Sequence, residues 1–159
     1  MTARLNHFET VPVLTKALMD ASMAAYKTSI DPLIKSLIDI RASQLNNCAF
    51  CLDMHIKQAK IKGERELRIY HVAIWRESPL FNAKEKAALA LTEALTKLPD
   101  TGVSNELYQA SKEHFTDVEI SELTYGIGLI NFWNRMQILA LVEPGSQDTA
   151  FGLNKAGLN

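Results

Sequence analysis

Apolar residues return every three or four positions along almost the whole chain, the period of helices that each bury one face. Val13, Leu14, Ala17, Leu18, Ala21 and Ala25 mark a first helix to about residue 29, entered at Thr10 and Pro12, because proline fits a helix's first turn. Asp31 and Pro32 open a second helix in the same way; it carries Leu33, Leu37, Ile38 and Leu45 and breaks or bends at Asn46 and Asn47. A third is predicted over 48–63, with Gly63 as its stop. A fourth, over 64–78, has Leu67, Tyr70, Ile74 and Trp75 on its apolar side and ends before Pro79. Asn82 with Glu85, and Thr116 with Glu119, have capping-box spacing. They open helices over 82–97 and 116–142, with a shorter helix from Ser104 to about residue 115 between them. The polar, glycine-bearing stretch 146–159 reads as a tail or an oligomer arm. No strand-period alternation of useful length and no internal repeat occurs. The pattern predicts an all-α fold, a single domain over 1–159 of about six to seven helices with its core in 12–142.

Composition narrows the function more than the fold. The 159 residues are 47% hydrophobic and 22% charged, the balance of a soluble globular domain. Seventeen basic residues against 18 acidic ones leave a formal charge of -1. That balance argues against a protein built to hold nucleic acid or coat an anionic membrane. The amino-terminal stretch is polar with no apolar run behind it, so no secretory leader is expected. Nowhere do apolar residues run for the ~20 positions a bilayer-crossing helix needs. The expected compartment is the cytoplasm, where thiols stay reduced and paired cysteines serve catalysis or metal binding more often than stapling.

The chain has two cysteines, and they stand three residues apart in Cys48-Ala49-Phe50-Cys51-Leu52-Asp53-Met54-His55. On a helix beginning near Cys48, both sulfurs and the His55 ring share one stripe. A helix N-terminus has unpaired N–H groups and partial positive charge, which favour thiolate over thiol. An imidazole one turn on can accept the thiol proton or hold the thiolate as an ion pair. Two close thiols can also cycle between dithiol and disulfide. Two other readings compete: half of a zinc site with His55 as a third ligand, and a pair of ordinary core cysteines. The zinc reading lacks a second cysteine pair and a histidine at finger or ribbon spacing.

The stretch from Ile40 to His55 resembles the core of alkylhydroperoxidase AhpD-like proteins, within the carboxymuconolactone decarboxylase superfamily. Ala73 to Pro79, Ala90 to Thr96 and Ile130 to Arg135 resemble the same family in the same order, so the likeness spans roughly 12–142. The resemblance implies an all-helical fold assembled as a homo-oligomer, commonly a trimer or hexamer. It also implies a site that reduces peroxides or exchanges disulfides. By motif position, Cys51 would attack the peroxide, Cys48 would resolve the sulfenic acid, and His55 would belong to the proton relay. No metal, flavin or nucleotide cofactor is implied. The partners expected are a small hydroperoxide and an external dithiol or thiol protein that resets the disulfide.

The likeness departs at one position. Characterised relatives carry a glutamate twelve residues before the first cysteine, where this chain has Ser36. A hydroxyl can pass a proton along but supplies no negative charge. Glu93 is the candidate replacement, because it sits in an otherwise apolar stripe where a charge is costly unless paired. The plainer reading makes Glu93 the polar edge of its helix, pairing with Lys97 one turn on. Asp53 suits the dipole of its helix's first turn. Asn131, Trp133, Asn134 and Arg135 are expected to hydrogen-bond between helices or subunits, Gly126 and Gly128 to allow close backbone packing, and the basic run 57–62 to face solvent. Two further readings compete with a peroxidase. One is the superfamily's cofactorless lyase chemistry, and the other is a redox sensor or assembly protein that oxidises without turnover.

Overall fold

The computed structural model describes residues 3–158; Met1 and Thr2 of the polar amino-terminal stretch and Asn159 of the tail lie outside them. In chain order the α-helices are α1 (His7–Thr10), α2 (Pro12–Tyr26), α3 (Pro32–Asn46), α4 (Ala49–Ile61), α5 (Glu66–His71), α6 (Ala83–Thr96), α7 (Asn105–Lys112), α8 (Asp117–Ala140) and α9 (Asp148–Phe151). Two 3₁₀ turns, Val72–Ile74 and Leu153–Ala156, complete the order. Among the described residues there is no strand, so the all-α expectation holds. The helices beyond the expected six to seven are the four-residue α1 and α9, too short to show a period.

Local chemistry sets most boundaries. The Asp31 side chain accepts from Leu33 N–H and Pro32 takes the first position of α3. Asn82–Glu85 and Thr116–Glu119 form complete capping boxes at α6 and α8. Asn47 ends α3 in the left-handed region (φ 56°), which asparagine tolerates. That turn lets Cys48 start the next helix at once.

The fourth predicted helix is split. Its α-helical part stops at His71, and a 3₁₀ turn carries the chain to Ile74. Ile69, Val72, Trp75 and Ser78 are all buried, a spacing of three that a 3₁₀ winding brings to one side and a continuous α-helix does not.

Helix α3 is the spine, packed against α4, α6 and α8. Ile34, Ile38 and Ala42 form one stripe that meets Ala88 and Leu91 of α6 and Leu123, Ile127 and Ile130 of α8. Leu37 and Ile40 turn the other way, toward Ala59, Ile69, Val72, Trp75, Phe81 and Leu89. Asn131, Trp133 and Asn134 of α8 bond across helices as expected, whereas Arg135 bonds Asn131 of its own helix. Asn46 Nδ2 donates to Asn131 Oδ1 (2.8 Å) and Asn134 Oδ1 (2.9 Å), and Asn134 Nδ2 donates to Ser43 Oγ (3.2 Å).

Two expectations need correction. Gly126 and Gly128 do not mediate close packing within the chain, since a Cβ built at either meets nothing within 4 Å. Gly128 is exposed, and Gly126, half-buried, flanks the core stripe. The basic run 57–62 is not uniformly solvated either. Lys57 is buried and bridges Asp53 (2.9 Å) and Asp148 (2.6 Å), because the chain's own carboxyl-terminal segment folds back over α4. Leu153 and Ala156 are buried there, and the turn Leu153–Ala156 packs on α4, so the segment 146–158 lies against its own chain. No helix of the described residues is long and apolar enough to cross a membrane.

Candidate active site

Cys48 is the N-cap of α4 rather than a residue inside it, and Cys51 closes the first turn. The Cys51 N–H donates to Cys48 Sγ at 3.3 Å, so a sulfur fills the capping place that a serine or aspartate oxygen commonly takes. The two sulfurs are joined as a disulfide. Cys48 is 2% exposed and Cys51 1%, under Phe50, Met54 and Val142. Val142 reaches them because Leu141 ends α8 in the left-handed region (φ 51°), turning the chain across the start of α4.

His55 is buried one turn beyond Cys51 on the same helix. Its Nδ1 lies 2.9 Å from Gln58 Oε1. An amide oxygen only accepts, so Nδ1 is the donor in this pairing, and in the neutral ring the lone pair is on Nε2. The carboxylate beside this ring is Asp39 of α3, with Oδ2 3.6 Å from Nδ1. Its side chain is 15% exposed. Burial pushes the Asp39 carboxyl pKa above the usual range, against the downward pull of His55, Lys62 and Lys35. Sequence reasoning passed over Asp39. The available signal was its place one turn after Ser36 on the helix face leading to the cysteines.

Ser36 itself is buried and uncharged in its contacts with α3. Its hydroxyl donates to Pro32 O (3.0 Å) and accepts from Lys62 Nζ (3.3 Å).

The structure thus brings Cys48, Cys51 and His55 together and corrects the placing of Glu93. Glu93 Oε1 accepts from Trp75 Nε1 (2.9 Å) and Arg41 Nε (2.7 Å), and Oε2 pairs with Arg76 (2.5 Å). Neither polar neighbour of His55, Asp39 or Gln58, is among these partners. Burial by itself would raise the Glu93 pKa, but the hydrogen bonds from Trp75, Arg76 and Arg41 lower it on balance. The cost of its apolar surroundings is met by two guanidinium groups, neither of them the expected Lys97. Asp53 also differs from expectation: it lies beyond the first turn of α4, and besides Lys57 it accepts from the Gly145 backbone N–H (3.1 Å).

A sulfur-capped helix with a histidine one turn inside, carried on a helical spine, defines an all-helical dithiol protein. The chain belongs to the carboxymuconolactone decarboxylase family, whose model matches residues 12–94, and is an AhpD-like member of it. It is 40% identical over 138 residues to YdfG of Bacillus subtilis (strain 168), itself uncharacterized, a match covering 87% of this chain and 94% of that protein. The crystal structure of ATU0492 from Agrobacterium tumefaciens superposes with a TM-score of 0.87 at 34% identity, covering 90% of this chain and 98% of that one. ATU0492 is a protein of unknown function and a candidate antioxidant defence protein of the AhpD type. The debrominase Bmp8 shares the fold, with a TM-score of 0.77 at 18% identity over 91% of this chain and 77% of its own.

Proposed function

We propose that this protein is a thiol-dependent hydroperoxide reductase working through Cys48, Cys51 and His55. The observation that carries the reading is the Cys48–Cys51 disulfide at the N-terminus of α4, with the His55 ring one turn along the same helix. In the reduced enzyme, His55 Nε2 takes the Cys51 thiol proton, and the thiolate attacks one peroxide oxygen. The O–O bond breaks, a S–O bond forms, and the departing alkoxide leaves as ROH with the proton returned by His55. The Cys48 thiol then attacks the sulfenic sulfur; the S–S bond forms and water leaves. Two electrons have passed from the sulfur pair to the peroxide. An external dithiol returns them by exchange and becomes a disulfide.

This assignment needs no metal, flavin or nucleotide. It suits the cytoplasm, where a dithiol reductant is maintained. We also infer a homo-oligomer. Val13 at 80% and Tyr125 at 72% exposure are among the apolar side chains that α2 and α8 leave uncovered in the single chain.

The test is steady-state consumption of an alkyl hydroperoxide by the purified protein with a dithiol reductant. Continuous turnover, abolished in Cys51→Ser, is expected. One observation favours a second reading: both sulfurs are almost fully covered, which suits a redox sensor. A single equivalent of peroxide consumed per chain, with no turnover, would establish that reading instead.

A further inference from the structure

We propose that Asp39 is the positioning carboxylate of this site, holding His55 in the state that converts the Cys51 thiol to thiolate. The inference rests on the dithiol-and-histidine reading above and concerns how the histidine is poised, whatever oxidant the thiolate meets.

Three features of the geometry support it. The Asp39 Oδ2–His55 Nδ1 separation of 3.6 Å is too long for a hydrogen bond but well inside the range of direct charge interaction. Gln58 occupies the Nδ1 proton, so the ring's basic nitrogen is Nε2. Asp39 also comes from α3 and His55 from α4, so the pairing spans the two helices that meet at the Asn47 turn. The step that Asp39 assists moves one proton: the Cys51 S–H bond breaks, a bond from Nε2 to that hydrogen forms, and thiolate and imidazolium result. No electrons change hands. A negative charge 3.6 Å from Nδ1 favours the imidazolium and therefore the ion pair.

The surroundings of Asp39 bear on the same point. Lys35, one turn earlier on α3, and Lys62, at the end of α4, pull its pKa down, while burial pushes it up. Tyr26, the last residue of α2, faces it as well, and Lys62 Nζ stands 5.4 Å from the Tyr26 ring centre. A carboxylate so placed gains most from becoming charged when His55 does. His55 is the oppositely charged neighbour of Asp39 across the two helices whenever its ring is protonated. Position 36 holds a hydroxyl bound to Pro32 O and supplies no such charge.

The experiment follows Cys51 thiolate against pH in the reduced Cys48→Ser protein, by ultraviolet absorbance and by the rate of iodoacetamide alkylation. Asp39→Asn is expected to move the acidic limb upward by about 1 pH unit or more, so that alkylation below the limb slows roughly tenfold. Asp39→Glu, which keeps the charge, is expected to keep the limb near its original place. Ser36→Glu added to Asp39→Asn is expected to restore it. Asp39→Ser repeats the measurement should Asp39→Asn not fold. A limb that stays put in a folded, uncharged variant overturns the inference, because a merely structural Asp39 would change stability and leave the titration alone. A peroxide assay on the wild-type protein separates this outcome from failure of the proposed reaction. A limb that moves without peroxide turnover upholds Asp39 and rejects the peroxidase; turnover with an unmoved limb does the reverse.

Discussion

Lys57 Nζ lies 2.6 Å from Asp148 Oδ2, which ties the helix that carries both cysteines to the carboxyl-terminal segment that folds over it. Asp53 completes the tie from the same helix, holding Lys57 at 2.9 Å and the Gly145 N–H at 3.1 Å. Because Val142 lies over the cysteines a few residues before this latch, the ion pair and the cover on the disulfide belong to one feature.

Lys57→Met should loosen that feature. Removing one partner of a buried pair costs about 3–5 kcal/mol. The Asp53 side chain is 28% exposed, so a loss somewhat below that range, ~2–3 kcal/mol, is expected here. Thermal unfolding measures the loss, and limited proteolysis should cut first after residue 142. Although burial opposes it, the bonds from Asp148 and Asp53 raise the Lys57 pKa above its ordinary value. A raised lysine pKa means stability fully present below the unfolded value and lost as pH rises through the folded one. The latch should therefore weaken only in strongly alkaline solution. An unchanged proteolytic pattern in Lys57→Met would show that the segment is held by Leu153 and Ala156 alone.

The two thiols should be distinguishable. Reduction with dithiothreitol should expose two titratable thiols per chain, and mild oxidation should remove both. After peroxide treatment, Cys48→Ser should yield a trappable sulfenic acid at Cys51, whereas Cys51→Ser should yield none. Trapping at Cys48 in Cys51→Ser would reverse the assigned roles.

Glu93→Gln should affect stability and leave the chemistry alone. The substitution removes the charge between Arg41 and Arg76, a loss on the order of 1–3 kcal/mol for a charge-assisted cluster. The pKa of Glu93 is depressed, so its contribution is present above the unfolded carboxyl pKa and disappears as pH falls through the folded one. Wild type and Glu93→Gln should converge in stability in acid. The Cys51 thiolate titration should superpose in the two proteins; a displaced titration would return Glu93 to the relay.

Gly128→Ala tests the exposed side of α8. In the single chain there is open space at this position, and alanine in a helix interior is favoured over glycine by roughly 0.5–1 kcal/mol. A matching rise in melting temperature is expected if the face stays open in solution. A fall, together with a smaller particle in sedimentation, would place Gly128 in the contact between subunits.

The sequence by itself determined the longer helices, the caps of α3, α6 and α8, and the cysteine–histidine spacing at the start of α4. Asp31 with Pro32, Asn82 with Glu85 and Thr116 with Glu119 act over three or fewer residues, so a linear reading captures them. The spacing of Cys48, Cys51 and His55 works in the same way, because all three fall within two turns of the start of one helix. The break at His71 was beyond this reading. It depends on which side of Val72 and Trp75 the core occupies, and periods of 3.0 and 3.6 are indistinguishable over so short a stretch. The partners of the charged residues were decided only by tertiary structure. Glu93 was legible as a charge needing a partner, yet its partner arrived from α3 as Arg41 and from beyond the 3₁₀ turn as Arg76. Lys57 reads as a solvated lysine until the carboxyl-terminal segment brings Asp148 to it from 91 positions away. Asp39 reads as one more polar position on an amphipathic helix, and only the crossing of α3 and α4 sets it beside His55. Caps and periodicity are interactions within a turn or two of backbone, whereas a buried charge is matched by whatever the packed helices carry to it.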